Sequence, residues 1–443
     1  MPNSTSQTNA SETRNRPLGA QISHMLKDRG VEVIFGIPGV HNQEMYRGIE
    51  EAGLTHILAR HEQGAGFMAD GYARATGRPG VCYVITGPGL CNIMTPMGQA
   101  YSDSVPMLVI SSCLDETAAL QGQLHQMKDQ EIAAGTVCDW SHTAMTATAA
   151  YGLVDRALTE FSTLRKRPKH IQVPIRQLEA HAPSFPAKAA PPLDMCASAQ
   201  QARVLRDKLE LASRPLFIFG GGAALQRGQM QPGQAPDWLE AFLNLGAASF
   251  TTYAGRGIIP PDHALHFGAT LPRAESGDII GSADLVVAVG TSLAEVDLWR
   301  HHLGHRAELV RIDIDPQVLS DVQHAEIKLR VDAHSLLCDT FKTPIAPKTS
   351  WSAKEVTAAE ARWRAQSDAE RPGIVPLCDA LRAATPQDTM FYSDMTQFAY
   401  VAKEVFAMDR PGHWHHPSGF GTLGYGLPAA IGGAIARKGQ PTI

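Results

Sequence analysis

The sequence is short of the features that usually place a protein quickly. Its seven cysteines (Cys82, Cys91, Cys113, Cys138, Cys196, Cys338 and Cys378) are odd in number and none forms a CxxC pair. That argues against a disulfide framework or a zinc site and fits reduced thiols in a cytoplasm. No apolar stretch reaches the roughly 18 residues of a membrane-spanning helix. There is no long run of either charge, and the net charge over 443 residues is −5, so neither nucleic acid nor a membrane is indicated as a partner. Residues 1–16 are polar, rich in Ser, Thr and Asn, and lack the apolar segment of a signal peptide; they read as a disordered lead-in. No GxGxxG with a following acid occurs, so glycine-ended strands alone do not specify a nucleotide and also fit plain strand-to-helix turns.

What the chain does have is length and an alternating grammar. Hydrophobic content is 44% and charged content 19%, which fits a packed globular protein of two or three domains. In the first third, apolar runs at Val31–Phe35, Val81–Ile85, Met107–Ile110 and Ile171–Pro174 are separated by helix-length segments. The middle third repeats this with Pro215–Phe219 into Gly220, Asp284–Val289 into Gly290, and Glu308–Asp315. Buried runs ending at glycine predict α/β units with mainly parallel sheets. Pro- and Ala-rich stretches at 182–193 and 344–352 read as linkers. They divide the chain into 17–181, 194–343 and 353–443. The last unit holds a charged helix from Ala353, a strand at Thr389–Asp394 and a small-residue helix over Ala429–Ala436. The final residues, Gln440 to Ile443, read like the start of another buried strand, so the third unit is expected to be incomplete.

Arg60-His61-Glu62-Gln63-Gly64 is the most informative stretch. It puts an acid where a short apolar run meets a small-residue helix. Such an acid is either a proton handler on a cofactor or a helix-start residue satisfied by the dipole.

Four segments then share a pattern: Phe35-Gly36-Ile37-Pro38-Gly39, the Glu62 stretch, Thr86-Gly87-Pro88-Gly89 with Asn92, and Gly419 to Ala430. In order and spacing they resemble the thiamine-diphosphate-dependent enzymes of the acetolactate synthase and 2-oxo acid decarboxylase superfamily, from about residue 17 onward. The resemblance implies three flavodoxin-like or Rossmann-like α/β domains. The first binds the pyrimidine ring of thiamine diphosphate, the second is central, and the third binds the diphosphate. It implies a site shared between subunits, hence a homodimer or homotetramer, and a small-molecule 2-oxo acid as substrate.

By the same resemblance, Glu62 is the carboxylate that promotes the imino tautomer of the pyrimidine. That tautomer generates the thiazolium ylid whose enamine chemistry cleaves 2-oxo acids. Gly87, Pro88, Gly89 and Asn92 pack a backbone turn on the cofactor, and Pro38 and Gly39 face substrate or pyrimidine. Asp394, Met395, Thr396 and Gln397 form the loop that meets the diphosphate. Gly421 supplies a backbone contact and Leu423 an apolar wedge, although Leu423 also reads as a plain core residue. His125 falls where decarboxylases of this kind place a proton relay; it also reads as a histidine satisfied within its loop.

The segments around His41 and Leu124–Gln130 most resemble the 5-guanidino-2-oxopentanoate decarboxylases. A guanidinium tail needs a carboxylate. Asp115, Glu116, Asp129 and Glu131 are the candidates, with solvated loop charges as the alternative. Two departures matter. The acidic-arginine turn of flavin-containing acetolactate synthases is absent after Gly290, so FAD is not expected. The Gly-Asp-Gly segment that ligates Mg²⁺ is also absent, so metal ligands are expected beyond Ile443 and none within the chain. Non-oxidative decarboxylation is the leading expectation, with an acetolactate synthase catalytic subunit and a truncated, non-catalytic homologue as alternatives.

Overall fold

Strand-ending glycines and prolines set the architecture. The structure is a computed structural model that describes residues 15–116, 121–192, 195–224, 237–347 and 350–443. Most of the expected lead-in (1–14), residue 193 of the first linker and residues 348–349 of the second lie outside the described residues. The described chain starts in a two-residue strand, β1 (Arg16–Pro17). It then builds a sheet from β2 (Val33–Gly36), β3 (Thr55–Leu58), β4 (Gly80–Val84), β5 (Met107–Cys113), β6 (Trp140–Thr143) and β7 (Lys169–Pro174). All six are parallel, in the order β3-β2-β4-β5-β7-β6. A short strand β8 (His181–Ala182) then pairs back on β1. Arg16 and Ala182 thus belong to one pairing, although the sequence assigned them to the lead-in and the linker.

The central sheet comprises β9 (Pro215–Phe219), β10 (Ala248–Thr251), β11 (Leu285–Val289), β12 (Glu308–Asp313) and β13 (Ile327–Arg330). It is parallel in the order β10-β9-β11-β12-β13. The third unit pairs β14 (Phe391–Tyr392) with β15 (Trp414–His415) in parallel, and Thr442 bridges to Met390 alongside. Crossover connections give parallel sheets covered on both faces. Accordingly, Ile34, Val81, Leu108 and Ile171 fill one side of the first sheet and Phe35, Cys82, Val84 and Val109 the other.

Elements that the sequence reading left unassigned, or in the case of β3 noted only as the short apolar run before Glu62, are mostly edge strands. β3, β6, β10 and β13 lie at the margins of their sheets. β3 alternates only between exposed and half-buried residues, and β6 (Trp-Ser-His-Thr) has no apolar run. The expected helix at Ala429 begins earlier, at Gly426. Pro428 sits in its first turn, where a missing N–H costs nothing.

The helix Gly426–Ala436 crosses the helix Glu62–Thr76 at near backbone contact. A methyl added to Gly71 would lie 2.0 Å from the carbonyl oxygen of Ala429, and one added to Gly432 would lie 1.9 Å from that of Met68. Residue number rises on one helix as it falls on the other, so they run antiparallel. Fully buried Asp70 ties the units: Oδ1 accepts from Tyr425 Oη at 2.8 Å and from Arg74 Nε at 2.6 Å.

Candidate active site

Glu62 is the first residue of its helix, and His61 caps it with Nδ1 accepting the Gln63 N–H at 3.1 Å. Only 8% of Glu62 is exposed. Among the described residues, one hydrogen bond reaches its carboxylate: Asn92 Nδ2 donates to Oε2 at 2.8 Å. Oε1 faces Gly89, and a methyl there would come within 3.5 Å of it. One carboxylate oxygen is therefore fixed, and the other faces a position kept open by a missing side chain.

Asn92 rides on the helix Pro88–Asp103, whose cap is Gly87 at φ 68° and whose first residue is Pro88. This helix lies parallel to the Glu62 helix. Asn92 meets Glu62, a methyl on Gly66 would touch Pro96 Cβ at 2.5 Å, and Arg74 Nη2 meets Asp103 Oδ2 at 2.7 Å. The Gly87 turn is anchored from below, because its N–H donates to Gln130 Oε1 at 2.8 Å. Gln130 Nε2 in turn donates to the Ser112 carbonyl and to Gln172 Oε1, both at 2.8 Å. His170, next in this buried network, bridges Ser111 and Ser141, and burial holds it down at about 3.

Ile85 joins the loops. Methyls on Gly39 and Gly89 would lie 2.3 Å and 2.8 Å from its side chain. Gly39 N–H donates to Asn42 Oδ1 at 2.8 Å, and Pro38 before it is exposed. A methyl on Gly87 would lie 2.3 Å from the carbonyl oxygen of His125. Pro38, Gly39, Gly87, Pro88, Gly89, Asn92, His125 and Glu62 therefore form one continuous wall.

The remaining expected residues gather elsewhere. Asp394 Oδ1 accepts from Met395 N at 2.9 Å and Gly424 N at 3.2 Å, while Oδ2 accepts from Gly426 N at 3.0 Å. Thr396 caps the helix Gln397–Val405, and Gln397 accepts from Arg371. Gly421 takes φ 69° and packs toward Met395. Leu423 is 69% exposed, so the alternative reading of it as a core residue fails. This cluster docks on the far ends of the two parallel helices: Thr422 Oγ1 donates to Gln99 Oε1 at 3.0 Å and Gly419 N to Asp103 Oδ1 at 2.9 Å. At 1.5 Å per residue, Asn92 and Gln99–Asp103 are separated by roughly 11–16 Å of helix. One chain therefore does not bring Glu62 and Leu423 together.

The candidate guanidinium partners are mostly engaged. Asp129 caps the helix Gln130–Gly135, Asp115 accepts from Arg176 N, and Glu131 accepts from Thr143. Glu116 is exposed. The sequence reading named His41 and Gln130 only within resembling segments and Ile85 only as a strand end, and gave none of them a role. Gln130 was legible as the residue after a helix-capping Asp; nothing in the sequence marks Ile85.

A parallel α/β fold with a buried acid at strand-end loops, one oxygen tethered and the other without a side-chain partner among the described residues, is the arrangement of an enzyme site at the carboxyl ends of parallel strands. Residues 16–132 match the N-terminal TPP binding domain of thiamine pyrophosphate enzymes, 203–339 their central domain, and 394–443 their C-terminal TPP binding domain. The chain belongs to the thiamine pyrophosphate enzymes. It is 41% identical over 433 residues to the Pseudomonas aeruginosa protein named probable 2-ketoarginine decarboxylase AruI, covering 96% of this chain and 75% of that protein. It is 25% identical over 457 residues to the large subunit of Escherichia coli acetolactate synthase isozyme 1, covering 97% and 77%. With the acetolactate synthase large subunit of Corynebacterium glutamicum it shares 28% identity over 454 residues, covering 96% and 69%.

The residues fit the pyrimidine side of thiamine diphosphate: a buried carboxylate with one oxygen uncommitted, beside Gly89, which sets no side chain against it. They do not fit a metal. Among the described residues no group of three His, Cys, Asp or Glu could hold one, and the Asp394 carboxylate is taken up by three backbone amides. Among the described residues no helix is long and apolar enough to cross a membrane.

Proposed function

We propose that this chain decarboxylates a 2-oxo acid with a basic tail, of the 5-guanidino-2-oxopentanoate (2-ketoarginine) class, without oxidation and without flavin. The observation that carries the reading is the Glu62 carboxylate, tethered by Asn92 on one oxygen and facing Gly89 with the other. The substrate class is supported by the name of the 41% identical relative and by His125 on the same wall. Thiamine diphosphate, when bound, supplies the nucleophilic carbon and electron sink that side chains lack. Glu62 exchanges a proton through Oε1 with the pyrimidine. Gly87, Pro88, Gly89 and Asn92 wall that ring, Pro38 and Gly39 face the substrate, and His125 handles the product proton. Asp394, Met395, Thr396, Gln397, Gly421 and Leu423 form the opposite half.

That half comes from a second copy, because the two halves lie at opposite ends of the helix pair within one chain. Phe420, Leu423, Leu427 and Ile431 are exposed apolar residues at and beside the second half, a surface suited to a partner. A homodimer is the minimal assembly, with the domains divided at 182–193 and 344–352. All seven cysteines are free, which fits a reducing cytoplasm.

The test is product analysis with thiamine diphosphate and Mg²⁺ supplied. Release of carbon dioxide and 4-guanidinobutanal from 5-guanidino-2-oxopentanoate is expected. Acetolactate from pyruvate as the main product would replace this reading with the synthase one. Light scattering should give a dimer or tetramer, and Leu427→Glu should shift it toward monomer with loss of turnover.

A further inference from the structure

His41 and His125 come from separate loops and meet edge to face, with ring centroids 4.8 Å apart and planes at 71°. Nδ1 of each ring is buried without a hydrogen-bond partner among the described residues. Buried imidazole nitrogens are rarely left unpaired unless something else uses them. The backbone is also bent to make the contact. His125 takes φ 64°, a left-handed conformation uncommon for a residue other than glycine. Its carbonyl is seated where Gly87 has no side chain. The Gly87 amide is fixed by Gln130, and Ile85 links Gly39, two residues before His41, to Gly89 beside Glu62. The histidine pair and Glu62 therefore share one wall.

Two imidazoles at this distance resist carrying two charges. Burial and then the charge of His125 hold His41 below the ordinary histidine range, against a smaller opposing pull from Glu179 on the helix Ile175–Glu179. We propose that His41 is a positioning residue for His125, fixing its ring through the edge-to-face contact so that the pair presents a transferable proton to the Glu62 wall.

This rests on the thiamine reading and deepens it. After the carbon–carbon bond to the carboxylate breaks, the pair's N–H bond breaks and a C–H bond forms at the former 2-oxo carbon. Solvent water returns the proton to the pair. The sum is 2-oxo acid anion plus one proton giving aldehyde and carbon dioxide, with no oxidant.

The test has an arm that needs no turnover. In cofactor-free protein carrying ¹³C-labelled histidine, His125→Asn is expected to raise the NMR titration midpoint of His41; an unchanged midpoint overturns the pair. In the loaded enzyme, His41→Phe, which keeps a ring of similar shape without nitrogens, is expected to lower aldehyde release about 10-fold or more, with KM nearly unchanged. The double variant should fall no further than His125→Asn alone, since residues acting as a unit are non-additive. Independent, multiplying losses would overturn the proposal. His41→Asn serves as the second variant if the Phe variant folds poorly, with the same expectation. Intact NMR coupling with no carbon dioxide from any 2-oxo acid would leave the pair standing and overturn the decarboxylase reading instead.

Discussion

Asn92 Nδ2 donates to Glu62 Oε2 at 2.8 Å between two parallel helices, so the acid that opens one helix is aimed by an amide on the other. Glu62→Gln keeps the shape and the Asn92 contact while removing the proton-exchanging oxygen. Turnover should fall about 10²–10⁴-fold, the usual worth of a positioned acid–base group. Asn92→Ala leaves Glu62 in place but unaimed, and the loss of one hydrogen bond to a charge should cost about 10- to 100-fold. Carbon dioxide release and calorimetric binding of thiamine diphosphate check both. An Asn92 variant as impaired as the Glu62 variant would mean that the amide contacts the cofactor directly.

Gly87 and Gly89 are two residues apart and should respond differently to alanine. At Gly87 the new methyl meets a backbone carbonyl at 2.3 Å and φ is 68°, so neither atom can step aside. Destabilisation of about 1–3 kcal/mol is expected, together with displacement of the His125 loop. At Gly89 the methyl meets the Ile85 side chain at 2.8 Å and stops 3.5 Å from Glu62 Oε1. Ile85 can shift, so the fold should survive while turnover falls. Thermal unfolding and steady-state kinetics on the two variants separate the cases; equal losses of stability would contradict them.

Much of this was readable from residue order alone. The strands that became β4, β9 and β11 are buried end to end and stop at or near glycine or Thr-Gly-Pro. The pattern and the structure agree there because a central parallel strand must be apolar on both faces. β6 escaped notice because an edge strand can be Trp-Ser-His-Thr and still pair. Glu62 stood out because its helix start is otherwise small and apolar. Gln130 and Ile85 did not, since their work is to hold Gly87 and Gly89 from 43 and 4 residues away in sequence, and a single chain of letters does not record such pairings. Asp70 and Arg74 sit at helical spacing in plain view, but their third partner, Tyr425, is 355 residues from Asp70.

That triad gives the third prediction. Asp70 is fully buried and holds both Arg74 and Tyr425. Asp70→Leu leaves the Arg74 guanidinium short of a carboxylate at the crossing of two helices. Removing one partner of a buried pair costs about 3–5 kcal/mol. Tyr425→Phe deletes one hydrogen bond while keeping the ring that meets Phe67 edge to face at 5.4 Å, and should cost about 1–2 kcal/mol. Urea unfolding monitored by tryptophan fluorescence tests the ranking. A Phe variant as unstable as the Leu variant would show that the hydroxyl, not the ion pair, holds the units together.

Acid should unfold this protein through its buried histidines as well as its carboxylates. Burial holds His170 at about 3 and His266 at about 4, and burial followed by Lys403, Arg256 and Arg74 holds His416 at about 3. Each lies below the ordinary value of 6.5 that the unfolded chain regains. Between those limits the unfolded state binds more protons, so stability rises with pH across the window and is lost as pH falls through it. Each histidine contributes a slope of about 1.4 kcal/mol per pH unit. His170→Asn keeps a polar partner for Ser111 and Ser141 but takes no proton. Its stability, from urea midpoints at several pH values between about 4 and 6, should fall less steeply than wild type by one such slope. Parallel curves would mean that His170 is already protonated in the folded protein, and that the network under Gly87 carries a charge its serines must satisfy.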